Sequence, residues 1–136
     1  MAGETTRITP EIRSKRNSSG VTILANTVVK LDTTEDQIIL PAATTDALYG
    51  VTMDQTILTG YFGDIQIRGV AKCRAHAALA TPGIRLMSVA GTGRVDTWAA
   101  GGGTNAQVVG LLLTTAGAQD DLVEVELAGP ATIAQG

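Results

Sequence analysis

Hydrophobic and polar positions alternate without a break from Ile65 to His76. Ile65, Ile67, Gly69, Ala71, Cys73 and Ala75 fall on one face, and Gln66, Arg68, Val70, Lys72, Arg74 and His76 on the other. A period of two over this length predicts one central strand within residues 60–79, with its apolar face in a core and its basic face in water. Before it, VTILANTVVKL, the turn DTTEDQ, IILPAA stopped by Pro41, and LYGVTM read as short strands. After it, residues 77–83 have a brief helical look that ends at the turn signal Pro82-Gly83. Ile84–Met87, a hairpin around Val95, Thr97 and Trp98 with a mobile glycine-rich tip, Val108–Leu113 and Leu122–Leu127 complete the list, and PATIAQG reads as a loose tail.

The pattern repeats. Residues 48–69 (LYGVTMDQTILTGYFGDIQIRG) lie over residues 108–129 (VVGLLLTTAGAQDDLVEVELAG) without a gap, so that Gly50 meets Gly110, Ile65 meets Val125, and Gly69 meets Gly129. Upstream, LANTVVKL at residues 24–31 lies over LATPGIRL at residues 79–86, matching Lys30 with Arg85. The expected fold is all-β: a compact small barrel or sandwich of two quasi-repeated units, residues 24–69 and 79–129, within one domain spanning residues 21–136. A few strands cannot cover their own apolar face, so each half needs the other.

Residues 1–20 (MAGETTRITPEIRSKRNSSG) show no sustained periodicity and read as an extended N-terminal arm outside the core. Charge sharpens this reading. Arg7, Arg13, Lys15 and Arg16 against Glu4 and Glu11 leave the arm at +2, so the rest of a chain of net charge −3 carries −5. The chain is 44% hydrophobic but only 3% aromatic, a balance of small aliphatics that suits thin β cores and seams between copies. No window is apolar and long enough to span a bilayer, and the start lacks the apolar stretch of a secretion signal. A lone Cys73 on the apolar face cannot form an internal disulfide and reads as a buried small hydrophobe.

Candidate chemistry is sparse. Cys73 and His76, three apart on a strand, point to opposite faces, which argues against a nucleophile and its base, and one Cys with one His is too few for a usual zinc site. GTGR at 91–94 and GGGT at 101–104 lack the Lys-Ser/Thr that completes a phosphate-binding loop. Asp120, Asp121, Glu124 and Glu126 read as a turn and a solvated face, the glutamates placed to pair with Arg68 or Lys72 across strands. Asn17-Ser18-Ser19 matches a glycosylation acceptor in form only. An acidic body with four aromatics does not suit nucleic acid. These residues imply no catalytic or metal site and no cofactor.

The order Gly50-Val51, GDIQIRGVA at 63–71, Pro82-Gly83, Gly93-Arg94-Val95, Val109-Gly110-Leu111 and DLVEVEL at 121–127 resembles small bacteriophage capsid decoration (cement) proteins, over about residues 20–128. The resemblance implies a β-rich, non-enzymatic homo-oligomer, with a trimer favoured, made in the host cytoplasm and carried on the capsid exterior of the virion. There it would bind the major capsid protein and clamp neighbouring subunits, without touching nucleic acid or membrane. In that setting Arg7, Arg13, Lys15 and Arg16 become the capsid-binding residues of the arm, assigned by charge. The competing reading is a ligand-binding or carrier-type β module with a pocket near Trp98.

Overall fold

The computed structural model describes residues 10–98 and 106–129, and these form an all-β protein of ten strands. The strands are β1 (Glu11–Asn17), β2 (Val28–Leu31), β3 (Gln37–Ile39), β4 (Gly50–Thr52), β5 (Phe62–Arg68), β6 (Val70–Arg74), β7 (Arg85–Ser88), β8 (Val95–Thr97), β9 (Gly110–Leu112) and β10 (Leu122–Leu127). Short aliphatic runs bounded by Gly, Pro and Asp account for most of them. The glycine-rich tip at 101–103 and the tail at 130–136 lie outside the described residues. Residues 77–83 are not helical; Leu79 instead exchanges both backbone hydrogen bonds with Ala116, each at 2.9 Å.

The first five strands close into a barrel in the order β1-β3-β2-β4-β5, and the last five form a sheet in the order β6-β10-β9-β7-β8. Read around the barrel from β1 through β5, the two circuits match strand for strand. In the barrel a parallel contact between β1 and β3, Arg16 beside Gln37 and Asn17 beside Ile38, makes the closure. The second sheet brings its outer strands together at one parallel bridge, Ala75 beside Val95, with His76 N donating to Val95 O at 2.8 Å. The reciprocal pair Ile23 and Ile57 occupies in the barrel the place that Leu79 and Ala116 occupy in the second unit.

The expected central strand is two strands. β5 belongs to the barrel and β6 to the second sheet, and the break falls at Gly69, whose φ of +91° L side chains rarely adopt. Period-two alternation survives the joint, which is why the run reads as continuous: Ile65 and Ile67 are buried before it, Ala71 and Cys73 after it. Gln66, expected on the wet face, is buried and clasps the joint, its Nε2 donating to Arg68 O at 2.9 Å and Val70 O at 3.0 Å.

Two apolar clusters result. Ile23, Val29, Ile38, Ile57, Ile65 and Ile67 fill the barrel. Burial of each of these side chains stabilises by about 1.5–3 kcal/mol. The other cluster lies inside the second sheet and takes in Val28, Leu48 and Val51 from the barrel, so the units share a core. The matched glycines exist because backbones approach closely. A Cβ on Gly50 would sit 2.5 Å from Gln66 O, and one on Gly110 would sit 2.1 Å from Glu126 O.

The arm drawn over residues 1–20 is corrected in its second half. Residues 11–17 are extended as expected, but they form a wall of the barrel, paired along β5 from Glu11 beside Arg68 to Arg16 beside Phe62. Main-chain pairing with an available edge does not require alternating side chains, so a polar strand that closes a barrel leaves little periodic signal. Its end is pinned by Asn17, fully buried, which exchanges backbone hydrogen bonds with Tyr61 and Gly60 at 2.9 and 2.7 Å. The Asn17 amide donates to Val21 O and Ile57 O, both at 2.8 Å, and its oxygen accepts from Ser19 N and Ser19 Oγ. An amide so engaged is not presented for glycosylation.

Two outcomes follow for urea unfolding. Asn17→Ala removes the side-chain bonds that tie Val21, Ile57 and Ser19 together and leaves Ile57 O with Ile23 N alone; it is expected to cost about 1–3 kcal/mol. Gly110→Ala, whose new methyl meets unyielding backbone, is expected to cost about 3 kcal/mol, whereas Gly117→Ala, with its nearest neighbour at 3.7 Å, is expected to stay near wild type.

Candidate interaction surface

Of the cationic residues singled out by charge, Arg7 lies outside the described residues, and Arg13, Lys15 and Arg16 sit on β1. Register and alternation separate them: Arg13 lies beside Ile65 and Lys15 beside Gly63, while Arg16 lies beside Phe62 on the opposite face. Lys15 is tied down, 3.0 Å from Asp36 and 5.7 Å above the Tyr49 ring, with 17% of its side chain exposed. Arg13 pairs with Glu11, whose other oxygen is 3.0 Å from Arg68 Nε. Arg16 is exposed and donates from Nε to Gly60 O at 3.2 Å. The three cations therefore do not form one row.

Arg16 instead belongs to an apolar tip. Leu58, Tyr61 and Phe62 are 54%, 66% and 62% exposed, and two of the chain's four aromatic side chains stand here in water. The turn is closed by Tyr61 N donating to Leu58 O at 3.1 Å, with Gly60 at φ +86°, and Asn17 holds both sides of it. Exposed aromatics beside an arginine, on backbone locked from behind, are the composition of an interaction hot spot. This signal was present in the sequence: the outward parity of Asp64 and Arg68, carried back to Phe62, places that ring on the wet face.

The second sheet's outward face is mixed. Exposed Val70, Leu111 and Leu122 are interspersed with Lys72, Glu124 and Glu126. Glu124 lies directly opposite Lys72, as expected, and Glu126 opposite Val70, but Arg68 turns to Glu11 instead. Asp121 caps its turn by accepting from Gly117 N and Ala118 N at 2.9 and 3.1 Å. Among the described residues no group of three or more His, Cys, Asp or Glu is placed to hold a metal ion.

Cys73 is wholly buried, and burial pushes its thiol up to about 12, so it stays protonated at neutral pH. Trp98 is half-buried. Its indole donates to Ala106 O at 2.8 Å and lies under the Arg85 guanidinium, while a nearby cleft of about 340 Å³ borders Arg85, Val108 and Leu111.

Three aspartates are held below the usual carboxylate range. Asp32 accepts from Ser18 Oγ and Thr33 N, both at 2.7 Å. At Asp46 partial burial pushes upward, but Lys30 at 3.0 Å and the amides of Ala42 and Ala43 outweigh it. Arg94 does the same for Asp120 from 2.8 Å.

No family model matches this chain, and no curated protein matches its sequence. In fold, the chain is similar to the N base of head fiber gp8.5 in bacteriophage phi29. The TM-score is 0.64 at 14% sequence identity, over 88% of this chain and 95% of that one.

Carboxyls depressed by folding contribute stability above their unfolded value, near 4, and lose it as pH falls through the folded values. We expect the urea midpoint to be level from pH 7 to pH 5 and to drop below about pH 4, with a shallower drop for Asp46→Asn.

Proposed function

We propose that this protein is a structural component of a phage head, carried on the capsid exterior as a homo-oligomer, with a trimer favoured, and bound to the major capsid protein. The observation that carries this reading is the exposed Leu58, Tyr61 and Phe62 tip beside Arg16 on a closed barrel. The fold it shares with a head fiber base supports the same setting. The tip offers rigid aromatic anchors that lose little conformational freedom on docking. Arg13 and Arg16, with Arg7 upstream, set approach and register against an acidic shell surface more than they set total strength. In an oligomer each tip is weak alone, and simultaneous engagement converts modest contacts into durable attachment that ties adjacent capsid subunits together. On this reading the protein holds its neighbours and transforms nothing.

The test is co-sedimentation with capsids that lack the protein. Tyr61→Ser with Phe62→Ser is expected to weaken retention by at least about thirtyfold while circular dichroism is unchanged. Deleting residues 1–9 removes Arg7 and spares β1, so it should reduce retention in a salt-dependent way. Deleting residues 1–19 removes a barrel wall and should unfold the protein. Full retention of the serine double variant would overturn the assignment of the tip.

A further inference from the structure

Where the barrel meets the second sheet there is a cleft of about 210 Å³ with a mixed lining, Thr22, Leu24, Thr27 and Leu40 from the barrel unit and Arg74, Thr92 and Arg94 among those from the other. Two guanidinium groups border it and share one carboxylate. Arg94 binds Asp120 through Nε at 2.8 Å and Nη2 at 3.3 Å. Arg74 reaches the same carboxylate only at 3.8 Å, beyond hydrogen-bonding distance, and spends Nη2 on Ala25 O at 2.9 Å. Its Nε, buried, has no acceptor among the described residues. A guanidinium carries five N–H groups, so Arg74 is short of acceptors.

Asp120 does not line the cleft, and its side chain is 43% exposed against 22% and 23% for Arg74 and Arg94. Two cations with one anion leave a surplus positive charge in a concave site, where low-dielectric walls concentrate its field. The first unit lacks this arrangement. Arg16 pairs across the strands with Phe62 as Arg74 does with Leu122, yet among the described residues Arg16 meets the Gly60 carbonyl and no acid.

We propose that this cleft binds a compact oxyanion, a carboxylate or a phosphate, held by the N–H groups of Arg74 and Arg94 not committed to Ala25 and Asp120 and seated against Thr22 and Thr27 of the barrel unit. The guanidinium charge makes each such bond stronger than a neutral one. A ligand touching both units would also hold one against the other.

The test follows the arginine Nε–H and backbone amide resonances of the full chain while phosphate, or N-acetyl-aspartate methylamide, replaces chloride at constant ionic strength. The expected result is saturable movement of the Arg74 and Arg94 Nε–H signals and the Thr92 amide, with a raised thermal midpoint. Saturation by phosphate alone identifies a free anion as the source, and saturation by the capped aspartate identifies a side-chain carboxylate. Arg94→Gln should weaken binding at least tenfold. Because that change also releases Asp120, Thr22→Glu provides a second arm: it places a carboxylate at the cleft wall, leaves the ion pairs intact, and should abolish the response to added anion. Movement that is linear and equal to that with chloride, or a full response in Thr22→Glu, would overturn the proposal.

Discussion

One residue that can turn where others cannot sets the architecture. Gly69, at φ +91°, carries the chain out of the barrel and into the second sheet within a single step. A Cβ there would meet Pro10 Cα at 3.3 Å and Gln66 Nε2 at 3.4 Å, so both backbone conformation and space argue for glycine. Gln66 then spends its side-chain donors on the carbonyls flanking the turn, satisfying groups that leave one ladder before joining the next. Because the parity of buried positions is unchanged across the joint, a continuous apolar face serves two separate sheets.

The same economy appears at the barrel's other end. Asn17 connects β1, the loop to Val21, and the turn before β5 through backbone and side-chain hydrogen bonds, all in a buried position. Such a network is costly when incomplete and rigid when complete. Here it fixes the stretch that carries Leu58, Tyr61 and Phe62 outward. The exposed tip is thus backed by a buried amide whose donors and acceptor are all engaged.

Much of this was legible in the residues. The all-β class, most strand positions from Val28 onward and the glycine-marked correspondence of the two halves follow from local periodicity and turn chemistry. Cys73 was readable as core because its parity matches Ile65 and Ile67. The strand at Glu11–Asn17 was not readable, since its side chains are polar and its stability comes from pairing with β5, some fifty positions away. The cations on that strand were visible as charges, but their dispersal over two faces was not, and the aromatic tip went unmarked although the parity at Phe62 placed it outward.

By itself the sequence determined where most strands lie, which side of most of them is dry, and that the motif occurs twice, because those properties depend on neighbours within a few residues. Only the tertiary structure decided that one alternating run serves two sheets and that a basic arm is a barrel wall. It also decided that Arg74 and Arg94 share one carboxylate beside a cleft. These outcomes depend on contacts between distant segments, and nothing in the local pattern of either partner encodes them.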